Sequence, residues 1–273
     1  MGKIEELNQD LYVKIQGQGS PIMVIHGIIS DSTFFDKTAI YLSECYEIIT
    51  YDRRGYGKSN QSDFSNYSVH VQAMDAAKIL WENCNEPSWI VGNSAGGLIA
   101  IELALYYPEL VKGMILIEPS LGYDEIERRK LLAWNQELNG YVKENKIKKA
   151  LPAFSRITGG PKSDAKLVSL TELKMTYHNL TAFMYGELNE VQNYLPPIEK
   201  LREFSMPVVV GVTEEGNESI FATSSKSGAE ILGWPVVSFP GYHNVAKEMP
   251  KEFAQKIKEI ISEYNMDSNN IGK

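Results

Sequence analysis

Short apolar runs recur along the chain, separated by longer stretches in which apolar positions return every three or four residues. LYVKI (11–15) alternates apolar and polar residues and predicts a half-exposed strand. PIMVIHG (21–27), YEIITYD (46–52), WIVGN (89–93), GMILIEP (113–119), PVVVGV (207–212) and WPVVSFPG (234–241) are compact apolar runs closed by glycine, proline or polar residues. Such runs predict six strands buried on both faces. Between them, Val69, Ala73, Ala77, Leu80 and Trp81 share one helical face, and Phe253, Ile257, Ile260, Ile261 and Tyr264 share another. Strands alternating with amphipathic helices imply an α/β fold: a mostly parallel central sheet flanked by helices.

One region breaks the alternation. From Gly122 to Ser205 the segments IERRKLLAWNQEL, VSLTELKMTYHNL and TAFMYGELNEVQNYL read as helices, with ITGGPKSD (157–164) as a loop. Strand signals resume at Pro207, so residues 122–205 read as an insertion in a core made of 1–121 and 206–273. The polar tail NMDSNNIGK reads as frayed.

Composition narrows the function classes. With 273 residues and 43% apolar content, the chain is long enough for a sizeable core. A formal charge of -8 leaves no basic stripe for a phosphate backbone, which argues against nucleic acid as a partner. No signal-peptide pattern and no run of about 18 apolar residues occurs, so the expectation is a cytoplasmic protein with no membrane span. Glu5 and Glu6 argue against a lipid anchor at Gly2. Cys45 and Cys84 lack CxxC spacing and suit a reducing compartment. His26, His70, His178 and His243 form no i,i+4 pair, so no metal site is expected.

The chemistry concentrates in Gly92-Asn93-Ser94-Ala95-Gly96, a G-x-S-x-G between an apolar strand and an apolar helix. A sharp strand-to-helix turn there would hold Ser94 in a strained backbone, and side chains at Gly92 and Gly96 would collide with neighbouring elements. The turn also sets the Ala95 N–H at a helix N-terminus, where it can stabilise an oxyanion. A second donor could come from the loop that opens at Gly27 and Ile28 (GIISDSTFF).

In order along the chain stand His26-Gly27, then YDRRGYGKS (51–59) as D-x-R-G-x-G-x-S, then G-x-S-x-G, then Gly241-Tyr242-His243. Over nearly its whole length the sequence thereby resembles the α/β-hydrolase superfamily. The resemblance implies Ser94 as nucleophile and His243 as general base. It gives His26 a structural part in the oxyanion loop and makes Asp52, Arg54, Gly55, Gly57 and Ser59 turn and packing residues. For the third member two acids compete: Glu214, after PVVVGV, and Glu118, 24 residues beyond Ser94 at the end of GMILIEP. The C-terminal third, from Pro207, is similar to the branch of lactonases that opens the macrocycle of zearalenone, which favours Glu118 and leaves Glu214 second. A serine in place of an Asp nucleophile sets aside the dehalogenase chemistry of other relatives.

By the same resemblance the insertion is a helical cap over the site, with Trp134, Tyr177, His178, Phe183, Met184 and Tyr185 as candidate substrate contacts. The expected function is cofactor-independent hydrolysis of a carboxylic ester, a lactone of an apolar molecule first, through an acyl-enzyme. A general carboxylesterase, a carbon–carbon bond hydrolase and an acyltransferase use the same triad. A ligand-binding protein without turnover is the reading from another class. Oligomeric state is left open by the sequence.

Overall fold

A computed structural model of the chain describes residues 11–59, 66–157 and 170–271. Among the described residues seven strands, β1 (Val13–Gln16), β2 (Pro21–Ile25), β3 (Glu47–Tyr51), β4 (Ser88–Asn93), β5 (Val111–Ile117), β6 (Val208–Thr213) and β7 (Val236–Phe239), form one sheet in the order β1-β3-β2-β4-β5-β6-β7. Of these strands only β1 runs antiparallel, against β3; every other pairing among them is parallel. The helices are α1 (Asp36–Leu42), α2 (Val69–Asn83), α3 (Ala95–Tyr106), α4 (Glu125–Lys143), α5 (Ala150–Ile157), α6 (Leu170–Ala182), α7 (Leu188–Asn193), α8 (Ile198–Arg202), α9 (Ile220–Leu232), α10 (Val245–Glu248) and α11 (Pro250–Ile271).

The two-residue period of a strand sorts each apolar run onto two faces. Met23, Ile25, Ile90, Met114 and Leu116 pack with Ala73, Ala77 and Ile99 of α2 and α3. Ile22, Val24, Trp89, Val91, Ile115 and Ile117 pack on the opposite side with Ala39 of α1 and Phe253, Ile257 and Ile261 of α11. Both faces of the sheet are therefore covered, which is why its central strands carry no polar alternation. A third cluster, with Trp134, Leu138, Leu180, Phe183 and Leu188 of the segment between β5 and β6, meets Tyr56, Tyr67 and Phe221.

Three expectations are corrected. β7 was expected to be buried on both faces, but it pairs only with β6 and is the sheet's edge, leaving Val236 44% exposed. On α2 the buried apolar residues are Val69, Ala73, Ala76, Ala77, Ile79 and Leu80, whereas Trp81 is 42% exposed and meets Tyr107 edge-on. The tail read as frayed continues α11 to Ile271, since extending a formed helix adds one hydrogen bond per residue fixed. The ITGGPKSD loop lies, from residue 158 onward, outside the described residues.

Among the described residues no helix is long and apolar enough to cross a membrane.

Close packing at the carboxyl ends of the central strands and slack on α4 give opposite expectations for two glycines. A Cβ on Gly96 would stand 2.2 Å from the Ile25 carbonyl oxygen, whereas one on Gly140 meets nothing within 4 Å. Gly96→Ala is expected to lower the unfolding free energy by ~2 kcal/mol or more, and Gly140→Ala, inside α4, to raise it by ~0.5–1 kcal/mol, both measured by urea denaturation.

Candidate active site

β4 ends at Asn93 and α3 starts at Ala95, so Ser94 alone makes the turn, at φ 53° and ψ -123°. Its N–H still extends the sheet, donating to the Ile117 carbonyl at 2.8 Å. Such a conformation costs a non-glycine residue about 1–3 kcal/mol and persists only where packing enforces it. The glycines permit that packing: a Cβ on Gly92 would lie 2.6 Å from the Gly96 oxygen, and one on Gly27 would lie 3.1 Å from the Ser94 Cβ. Ser94 occupies the cap position of α3 yet makes no side-chain cap hydrogen bond. Its hydroxyl is thus not spent on the helix, and the positive end of α3 faces the same space.

The neighbouring strand carries the acid. Asn93 pairs with Ile117 across β4 and β5, so the next residues, Ser94 and Glu118, leave the sheet side by side. Glu118 is also in the left-handed region, at φ 45°, and its N–H donates to Gly211 of β6 at 2.9 Å. The carboxylate is fully buried. Its Oε2 lies 2.5 Å from Nδ1 of His243, and its Oε1 accepts from the N–H (2.9 Å) and hydroxyl (2.6 Å) of Thr213. Burial pushes the Glu118 carboxyl up, but His243 and Thr213 together outweigh it and hold it below the usual glutamate value. Phe221 stacks on the His243 ring, centroids 4.7 Å apart. Glu214 is elsewhere: it is exposed and accepts from the Ser238 hydroxyl at 3.0 Å. The structure therefore brings Glu118, and not Glu214, to His243.

A cavity of about 580 Å³, counted with its mouth, is lined by Ser94, Ala95 and Ile28 from the core and by Trp134 and Phe183 from the helical segment, with Phe221 between them. Of the other residues expected to contact substrate, none lines it. Met184 is buried within the third cluster, Tyr177 is half-buried, and His178 and Tyr185 are exposed, Tyr185 by 45%. Successive residues of a helical turn, here a π-helical one, point in different directions, and of these three only Phe183 faces the cavity. Among the described residues no group of three or more His, Cys, Asp or Glu side chains could hold a metal ion.

The family model described as alpha/beta hydrolase fold matches residues 20–200. The chain belongs to the alpha/beta hydrolase fold family. The uncharacterized hydrolase YraK of Bacillus subtilis (strain 168) is 26% identical over 265 residues, 95% of each chain. Among solved structures, a bromoperoxidase from Bacillus anthracis has a TM-score of 0.77 at 22% identity, covering 95% of this chain and 98% of that one. Est816, an N-acyl homoserine lactone degrading enzyme, has a TM-score of 0.71 at 19% identity, covering 93% and 98%. These two share the fold, and the protein is an enzyme of the hydrolase class.

In this hydrolase a second buried charge system stands on the other side of Ser94, and sequence reading missed it. Arg53 and Glu187, 134 residues apart and both fully buried, form an ion pair through Nη1 and Nη2. Tyr56 donates its hydroxyl to Glu187, and Gln72 donates from Nε2 to Glu187 at 2.9 Å while accepting from Arg53 at 2.5 Å. Arg53 reaches the Gly27 carbonyl at 2.9 Å and donates its backbone N–H to Nε2 of His26 at 3.0 Å. That bond makes Nδ1 the protonated nitrogen of His26, donating to the same Gly27 carbonyl at 2.8 Å. Burial, then the Arg53 charge, keeps the His26 pKa well below its usual value, so the ring is neutral. The Gly27 carbonyl is thus pinned by two donors, and the Ile28 N–H of the same trans peptide points the opposite way. Glu187 ends a π-helical turn that begins at Phe183, so one ion pair ties the cavity wall to the Gly27 loop.

Removing one partner of a buried pair leaves the other uncompensated. Glu187→Gln is expected to lower stability by ~3–5 kcal/mol, against ~0.5 kcal/mol or less for Glu125→Gln in the exposed Arg129 pair, as measured by urea denaturation.

Proposed function

We propose that the protein is a cofactor-independent serine hydrolase of carboxylic esters, with Ser94, His243 and Glu118 as its triad and a lactone of an apolar molecule as the favoured ester. The observation that carries this reading is the 2.5 Å contact between Glu118 and His243 beside a serine held in a strained turn. Glu118 fixes Nδ1 of the imidazole as its protonated nitrogen, which leaves Nε2 free to take a proton. Ser94 Oγ attacks the ester carbonyl as His243 accepts its proton. The oxyanion is received by the N–H groups of Ala95 and Ile28, with Gly27 allowing the close approach. Collapse breaks the carbonyl–alkoxy bond and His243 returns the proton to the leaving oxygen. Water, deprotonated by His243, then cleaves the acyl–Ser94 ester and frees the acid. From a lactone, acid and alcohol leave as one opened molecule.

The helical segment 122–205 serves in this reading as a cap, with Trp134 and Phe183 as its substrate contacts. The apolar side chains around Ser94 suit an apolar acyl or macrocyclic body. That the fold accommodates lactone chemistry is supported by its likeness to Est816. The cytoplasm is read as the compartment from composition, with Cys45 and Cys84 as free thiols.

Turnover of p-nitrophenyl esters and of macrocyclic lactones by purified protein tests the reading. Ser94→Ala is expected to lose 10³-fold or more in kcat, on the order seen for triad nucleophiles. Glu118→Gln is expected to fall by about 10²-fold or more, with Glu214→Gln within about twofold of wild type. Equal rates in wild type and Ser94→Ala would refute the serine mechanism, and a larger loss in Glu214→Gln would move the acid to the later loop.

A further inference from the structure

The cavity at Ser94 contains polar groups that ester cleavage does not use. Arg128 lines it from the first turn of α4 and, among the described residues, has no ion pair and no side-chain hydrogen bond. Its helix neighbours differ: Arg129 pairs with Glu125 and Lys130 with Glu127. A cation near a helix N-terminus also opposes the helix dipole, so this position gains nothing from local electrostatics. Gln192, on α7, lines the same cavity, and both its Nε2 and Oε1 are buried without a partner. So is the Oγ of Ser120, which follows the Glu118-Pro119 pair. Buried polar groups left unpaired are rare and costly; those of Gln192 and Ser120, facing the same cavity as the half-buried and unpaired Arg128, come from separate elements and mark a ligand subsite.

The nearby acids are already engaged. Glu127 also accepts from the Thr223 hydroxyl, and Glu102 binds Tyr194 and His70. An anion is thus missing on the protein's side, and Leu131, Val191 and Trp134 flank the site with apolar walls. We propose that Arg128, Gln192 and Ser120 bind a carboxylate, so that the substrate is an ester whose apolar body ends in a carboxylate held at these residues while its carbonyl meets Ser94. The position of the ester rests on the proposed serine mechanism; the carboxylate subsite itself does not.

Calorimetric titration of the Ser94→Ala protein with monomethyl adipate and with dimethyl adipate compares one body with and without the charge. The acid is expected to bind about tenfold or more tightly, as a charge-assisted contact implies. Arg128→Met in the same background should bring the ratio of affinities close to one, Arg128→Lys should restore part of it, and Gln192→Leu, on a separate helix, should lower it. Equal affinities, binding of neither compound, or a ratio unchanged by Arg128→Met overturns the subsite. With Ser94 intact, p-nitrophenyl hexanoate and the p-nitrophenyl monoester of adipic acid separate the two claims. Discrimination in binding with turnover of neither ester refutes the hydrolase mechanism and leaves the subsite standing. Turnover of both with no preference for the acid refutes the subsite alone.

Discussion

A carboxylate with no exposure to water is tolerated only where other groups replace its hydration, and Glu118 sets that requirement at the centre of the sheet. Three groups meet it: the imidazole of His243, and the N–H and hydroxyl of Thr213. They come from the ends of two further parts of the chain, the loop after β7 and the last residue of β6. Satisfying one buried charge therefore fixes how β5, β6 and the final loop finish relative to one another. It also orients the histidine, since one ring nitrogen is committed to the acid and the other is left to face outward. Ser94, one residue beyond the strand pairing that precedes Glu118, is delivered to the same edge by register alone.

Arg53 and Glu187 repeat the logic on the opposite flank. Their pairing replaces lost hydration with Gln72, Tyr56 and the Gly27 carbonyl. Because Gly27 belongs to the loop against Ser94 and Glu187 to the helical wall, the pair couples the orientation of a backbone donor to the position of that wall. Buried ion pairs add little net stability compared with apolar packing, but they admit few alternative arrangements. In the proposed mechanism both flanks of the nucleophile turn are held this way, and the strain stored at Ser94 and Glu118 is sustained by the packing between them.

The strands were legible because a buried parallel sheet demands unbroken apolar runs, and the nucleophile turn because its glycines have a steric reason. What the sequence could not resolve depended on distance or rotation. Choosing between Glu118 and Glu214 required knowing which carboxylate the last loop meets. Trp81 read as part of a buried helical face and Tyr185 as a substrate contact, and the rotation along their helices places both outside. Arg53 hid between Asp52 and Arg54 in a motif read as a turn, and its partner Glu187 lies in a helix with no motif at all. No local pattern announces a pair formed across 134 residues.

The central claim is that Glu118 accepts the Nδ1 proton of His243, and proton NMR of that bond tests it most directly. A short hydrogen bond of this kind gives a resonance far downfield of the backbone amides. It is expected in the wild type and in Glu214→Gln, and to move upfield or vanish in Glu118→Gln. A resonance that survives Glu118→Gln unchanged and disappears in Glu214→Gln would contradict the claim.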